Sequence, residues 1–100
     1  MFIAMNRFRI TPGRESEFEE IWRQRDSQLD EVPGFRSFQL LRGPQDEEAC
    51  LYASHTVWDS QDDFEAWTRS EAFRRAHSGG GGREGLYLGP PRFEGFEVVL

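Results

Sequence analysis

The chain has 100 residues, 37% of them hydrophobic and 30% charged, a composition typical of one globular domain with a single core. Its 18 acidic residues outnumber 12 basic ones and give a net charge of -6, which argues against a nucleic-acid partner. The lone cysteine excludes an internal disulfide, and no apolar run is long enough to span a membrane. We therefore expect a cytoplasmic protein that binds neither nucleic acid nor membranes.

Apolar residues alternate over Phe2 to Ile10, which predicts a first strand. Asn6 falls on the same face of that strand as Phe2, Ala4 and Phe8. A buried side-chain amide has to find hydrogen-bond partners, either in the neighbouring backbone or in a ligand. Both explanations of Asn6 remain open at this point.

Helical spacing of apolar residues from Arg14 to Leu29 predicts a first amphipathic helix, on which Trp22 is expected in the core. Two further strands are predicted over Phe35 to Arg42 and Leu51 to Trp58. His55 shares a face of the third strand with Leu51, Ala53 and Val57, so it is a candidate either for ligand binding or for an interface.

The stretch from Thr56 to His77 contains two helix starts. Ser60, followed by Asp63, has the spacing of a capping box, and Ser70 offers a second N-cap. The first helical piece places Phe64 and Trp67 on one face, and the second places Phe73 and His77 on one face. A histidine on an apolar face needs a hydrogen-bond partner, a metal, or the helix C-terminus.

Four glycines, Gly79 to Gly82, follow the second piece and fit either a loop that closes over a pocket or a plain linker. Leu86 to Pro91 is predicted to be irregular, and Phe93 to Leu100 to be the last strand. The order strand, helix, strand, strand, helix, strand predicts an α+β fold, a ferredoxin-like βαββαβ antiparallel sheet in one domain over residues 1–100. Both sheet faces carry apolar residues, so we expect a homodimer, a dimeric α+β barrel.

Several of these residues together resemble a known family. Asn6 in the first strand, the TVW strand end at Thr56 to Trp58, Trp67 in the next helix and the F-x-x-A-H ending at His77 resemble the IsdG-type haem-degrading monooxygenases. These belong to the antibiotic biosynthesis monooxygenase superfamily of dimeric ferredoxin-like proteins. The family's pocket asparagine, pocket tryptophan and haem-ligating histidine match Asn6, Trp67 and His77, whereas Gly79 to Gly82 matches no family pattern.

The resemblance implies that haem is both cofactor and substrate. His77 would bind the haem iron, Asn6 would donate a hydrogen bond to oxygen at the iron, and Trp67 would press on the porphyrin and bend it. The activated oxygen, from O2, would then attack a ring carbon. No flavin or nicotinamide fingerprint is present, so an external electron donor, an unidentified reductase, is implied. Candidate contacts for the haem propionates are Arg74, Arg75 and Arg83.

Two other functions remain open. The superfamily also contains cofactor-free monooxygenases of polycyclic aromatic or quinol substrates, for which Asn6 and Trp67 would line the pocket and His77 would be a general base or structural. The third possibility is a non-catalytic, dimeric haem-binding module. Purification without haem, or ring cleavage under reductant, would separate these functions.

Overall fold

A computed structural model describes residues 1–25, 29–71, 73 and 85–100 of the chain. Their order of elements is the predicted one, strand, helix, strand, strand, helix, strand. The elements are β1 (Phe2–Ile10), α1 (Glu15–Arg23), a 3₁₀ turn (Leu29–Glu31), β2 (Phe35–Gln45), β3 (Cys50–Trp58), α2 (Gln61–Thr68) and β4 (Arg92–Glu97). None of the described helices is long and apolar enough to cross a membrane.

The described strands form one antiparallel sheet in the order β2-β3-β1-β4, which confirms the ferredoxin-like topology. β1 lies in the interior of the sheet and pairs with β3 on one side and β4 on the other. In this register Asn6 is opposite Ser54 of β3 and Phe93 of β4. The side chain of Asn6 therefore lies near the middle of the sheet.

The two faces of the sheet differ in their environment, because successive side chains of a strand point to opposite sides. Along β1, Phe2, Ala4, Phe8 and Ile10 are buried beneath the helices. Arg9, on the other face, is exposed. The predicted alternation is thus confirmed for these residues.

The first helix is shorter than predicted. It ends at Arg23, with Gln24 as its C-cap, and does not continue to Leu29. Leu29 instead lies in the separate 3₁₀ turn, where it is buried against Phe2 and Trp58. The helical spacing of Leu29 was misleading because tertiary packing, and not the first helix, buries this side chain.

The start of α2 agrees with the capping prediction. Ser60 has an extended backbone, and its Oγ accepts a hydrogen bond from the Asp63 backbone N–H at 3.1 Å. The Asp63 carboxylate accepts from the Ser60 hydroxyl at 3.0 Å. Ser70 also caps as predicted, because the Phe73 N–H donates to its Oγ at 3.2 Å.

Some strand boundaries and one connecting segment differ from the prediction. β2 continues to Gln45 because the connecting turn is tighter than expected, with the Asp46 carboxylate accepting the N–H groups of Glu48 and Ala49. β4 ends at Glu97 and not at Leu100. The segment predicted to be irregular pairs with the end of β1, where Tyr87 forms a bridge with Ile10.

Candidate functional site

A cavity of about 610 Å3 lies between the sheet and the helices. This volume is within the usual range of small-molecule sites, roughly 300 to 1,000 Å3. The described residues that line it are Ala4, Asn6, Phe8, Trp22, Arg25, Leu29, Phe38, Ser54, Thr56, Phe64, Trp67, Thr68, Phe73, Tyr87, Pro91 and Phe93. Most of these side chains are apolar, and eight of the sixteen are aromatic, so the cavity suits a flat apolar ligand.

The described core is divided into two clusters, and residues of both line the cavity. One cluster contains Phe8 and Ile10 of β1 and packs beneath α1. The other contains Phe2 and Ala4 and packs beneath α2. Asn6 falls between these two pairs along the same strand face, so a polar residue occupies the floor where the clusters separate.

The Asn6 side chain lines the cavity floor and is partly buried. Among the described residues it has no hydrogen-bond partner. The hydrogen bond to neighbouring backbone that would give Asn6 a purely structural role is therefore absent from the described part of the chain. Its amide is available to a ligand, as both donor and acceptor.

Thr56 shows what a satisfied polar residue on the same sheet face looks like. Its hydroxyl accepts a hydrogen bond from Trp58 Nε1 at 2.9 Å and donates to the Ala4 carbonyl at 3.3 Å. Thr56 is buried and Trp58 is fully buried. Thr56 thus serves the core, although it also lines the cavity.

Trp67 forms part of the α2 wall of the cavity. Its ring lies 5.4 Å from that of Trp58 and meets the Phe73 ring edge-on at 4.8 Å. Beside it, Phe64 stacks on Phe93 of β4 at 5.6 Å with an interplanar angle of 5°. The structure therefore brings Trp67 and Asn6 to one cavity, and aromatic neighbours hold the tryptophan in place.

Among the described residues, no other candidate site residue predicted from the sequence lies in this cavity. His77, together with Arg74, Arg75, Arg83 and the segment Gly79 to Gly82, lies outside the described part of the chain. His55 is on the opposite sheet face, as its alternation predicted. Its buried Nδ1 has no hydrogen-bond partner among the described residues.

The α1 side of the cavity contains residues that sequence reasoning missed. Trp22 was expected only in the core, yet it both packs against the first cluster and lines the cavity, stacked on Phe38 at 5.6 Å. The Arg25 guanidinium carbon lies 4.0 Å from the centroid of the Trp22 ring. Burial lowers the pKa of Arg25, and the nearby Tyr87 partly offsets this. The spacing of Trp22 and Arg25 by three residues was the available sequence signal.

Two titratable side chains of the first cluster are bonded away from the cavity. The Cys50 thiol donates to Glu15 Oε1 at 2.8 Å, and this bond is the main reason that its pKa is raised to about 11. The Tyr52 hydroxyl donates to Glu19 Oε2 at 2.5 Å. Burial, assisted by this bond, raises the pKa of Tyr52 to about 12. Neither residue lines the cavity.

Several known proteins are similar to this chain. A haem-degrading monooxygenase of Shouchella clausii is 40% identical over 67 residues, which are 66% of this chain and 63% of that protein. The match thus spans less than two thirds of that relative. A staphylobilin-producing haem oxygenase of Staphylococcus haemolyticus is 29% identical over 77 residues, 77% of this chain and 73% of the relative.

Among solved structures, the haem degrader MhuD of Mycobacterium tuberculosis, described with two haems bound in its active site, has a TM-score of 0.76 at 31% identity. The superposition covers 100% of this chain and 97% of that one. A family model described as antibiotic biosynthesis monooxygenase matches residues 1–79. The resemblance noted in the sequence is confirmed, and the chain belongs to the antibiotic biosynthesis monooxygenase family.

Proposed function

We propose that this protein is a haem-degrading monooxygenase that oxidatively opens the porphyrin ring with O2 and an external reductant and releases the iron. The observation that carries the proposal is the aromatic cavity of about 610 Å3 with the unbonded Asn6 amide on its floor. The haem-degrading relatives support it, because they match most of the chain.

The residues that line the cavity fit a porphyrin. Aromatic side chains on both helix walls supply flat apolar surface, and β1 supplies a rigid floor. A bound haem supplies the iron that activates O2 and the ring that is oxidised. Holding that ring in a fixed position is the task of the protein, and a cavity built from two packed clusters suits it.

Each candidate residue has a separate task in this proposal. Asn6 donates its amide N–H to oxygen held beside the ring, where β1 fixes its position. Trp67 is braced by Trp58 and Phe73 and would press against the face of a bound porphyrin. His77 is assigned to the iron by the family resemblance alone, since it lies outside the described residues. Electrons come from a separate reductase.

The proposal is tested by titrating the purified protein with haemin and then adding ascorbate in air. A new absorption band at one equivalent per subunit, followed by loss of the band under ascorbate, is the expected result. If the absorption band of bound haemin persists under ascorbate, the protein is a non-catalytic haem-binding module. A protein that takes up no haemin but oxidises a quinol would be a cofactor-free oxygenase. Because MhuD is described with two haems, the end point of the titration also decides between one and two.

The outer sheet face favours the predicted homodimer. Leu41 is 39% exposed and Phe96 is 46% exposed on this face, which also carries the partly buried Val57. His55 lies among them with a buried Nδ1 that no described residue satisfies. A second copy would cover the apolar side chains and could supply the missing partner, closing the α+β barrel. A cytoplasmic location stays a prediction from the sequence.

A further inference from the structure

Ser54 of β3 is a second polar residue on the floor of the cavity, beside Asn6. The register of the sheet places it directly opposite Asn6 of β1. Side chains that face each other across two antiparallel strands have Cβ atoms roughly 4.5 to 5.5 Å apart. Both residues line the cavity, so two polar groups lie side by side in a lining that is largely apolar.

The fold does not use the Ser54 hydroxyl. This group makes no hydrogen bond with any described residue. Ser54 is only 7% exposed, and the small surface that its oxygen retains faces the cavity. Because a buried hydroxyl is costly to leave without a partner, a group that enters the cavity is the simplest partner for Ser54.

The two threonine hydroxyls of the cavity lining, by contrast, are bonded within the chain. The Thr56 hydroxyl donates to the Ala4 carbonyl at 3.3 Å. The Thr68 hydroxyl donates to the Glu65 carbonyl at 2.7 Å. Ser54 differs from both threonines, because its hydroxyl remains available to a ligand.

The two sides of Asn6 differ in polarity. Asn6 faces Ser54 across the β1–β3 pair and Phe93 across the β1–β4 pair. The Phe93 ring has no N–H or O–H to donate, whereas the Ser54 hydroxyl rotates its proton toward whichever acceptor is present. A small ligand that accepts a hydrogen bond from the Asn6 amide can therefore take a second one from the β3 side.

We propose that Ser54 is a second ligand-binding residue, whose hydroxyl donates a hydrogen bond to the same small oxygen ligand that Asn6 binds beside the ring. The identity of the ring as haem rests on the proposed function. Two donors on paired strands hold the oxygen in one place, because the β1–β3 pairing in the middle of the sheet fixes their separation. A serine that only left room above the sheet would need no hydroxyl, and this difference can be measured.

The test measures fluoride binding, by absorption, to the protein loaded with ferric haemin, without reductant, so that no turnover occurs. Fluoride accepts hydrogen bonds and donates none. Ser54→Ala keeps the space and removes the hydroxyl, so it should weaken fluoride binding about tenfold, the loss of one hydrogen bond to a charged acceptor. Ser54→Thr keeps a hydroxyl and should stay near the parental affinity. Ser37→Ala, the same substitution at an exposed position of the outer sheet face, should leave the affinity unchanged.

A double variant distinguishes direct contact with the ligand from an effect through Asn6. If Ser54 touches the ligand, Ser54→Ala should still weaken fluoride binding when Asn6→Ala is already present. Loss of the effect in that background would overturn the inference, as would parental affinity in Ser54→Ala or an equal loss in Ser54→Thr.

The outcome is separate from ring cleavage. A fluoride affinity that depends on the Ser54 hydroxyl, in a protein that leaves haemin intact under ascorbate, would sustain the inference and refute the proposed function. Cleavage of haemin with a fluoride affinity that does not depend on Ser54 would do the reverse. A protein that takes up no haemin would overturn both.

Discussion

Asn6 and Thr56 are polar residues on the same sheet face, and their substitution should have opposite consequences. Asn6 has no hydrogen bond with a described residue, so Asn6→Ala should change the free energy of unfolding by no more than about 0.5 to 1 kcal/mol. Thr56→Val removes the acceptor of Trp58 Nε1, and Trp58 is 0% exposed. Leaving that N–H buried and unpaired should cost about 1 to 3 kcal/mol.

The effect on turnover should separate from the effect on stability. If Asn6 holds oxygen beside the ring, its loss removes one donor from a site of developing charge, which lowers a rate by roughly 100- to 1,000-fold. Asn6→Ala should therefore keep the absorption band of bound haemin, and under ascorbate the band should persist long after the parent protein has lost it. Ascorbate assays at equal haem occupancy give this comparison.

Thermal unfolding supplies the control on the structural side. For a domain of this size 1 kcal/mol corresponds to a shift in Tm of about 4 to 8 °C, so Thr56→Val should melt clearly below Asn6→Ala. If Asn6→Ala bleaches haem at the parental rate, Asn6 is an ordinary strand residue with no role in turnover. A loss of stability in Asn6→Ala as large as that in Thr56→Val would show that its amide serves the fold.

Three further outcomes are expected. His77→Ala should lose the band of iron-bound haemin, and Cys50→Ser should keep it because the thiol is bonded to Glu15; the opposite pattern in the titration would overturn the ligand assignment. Light scattering at micromolar concentration should give a dimer and Leu41→Glu a monomer, whereas a monomeric parent protein would contradict the interface. The free energy of unfolding should fall as the pH rises from about 10 to about 12, because the folded state retains the Tyr52 proton that the unfolded chain loses near pH 10. Urea titrations at the two ends of this range should show a smaller fall in Tyr52→Phe, and an equal fall would rule out Tyr52 as its source.

The parts of the site that the sequence predicted are those set by local periodicity. Strict alternation placed Asn6 on the apolar face of β1, and the Ser60 cap with helical spacing placed Trp67 on the inner face of α2. Both residues line the cavity. Neither position required knowledge of distant contacts.

The meeting of Trp22, Arg25 and Tyr87 at the α1 end of the cavity could not be predicted because it depends on tertiary register. Tyr87 comes close to Arg25 only because its segment pairs with Ile10 at the end of β1, and that segment has no strand periodicity. The end of α1 was missed for a similar reason. Leu29 continues the helical spacing, yet its burial is decided by the cluster around Trp58.

The buried polar atoms of this chain point to where its ligands and partners belong. In the core, Thr56 accepts a hydrogen bond from Trp58 Nε1, which shows that the fold can pair a buried indole N–H internally. Among the described residues, exceptions occur in different places. Trp22 Nε1 belongs to a residue of the cavity wall, and His55 Nδ1 belongs to a residue of the outer sheet face. Buried polar atoms without an internal hydrogen-bond partner are expected at functional sites, because a bound group supplies the missing hydrogen bond. The Trp22 and His55 exceptions therefore support two separate proposals, a ligand in the cavity and a second subunit on the outer sheet face.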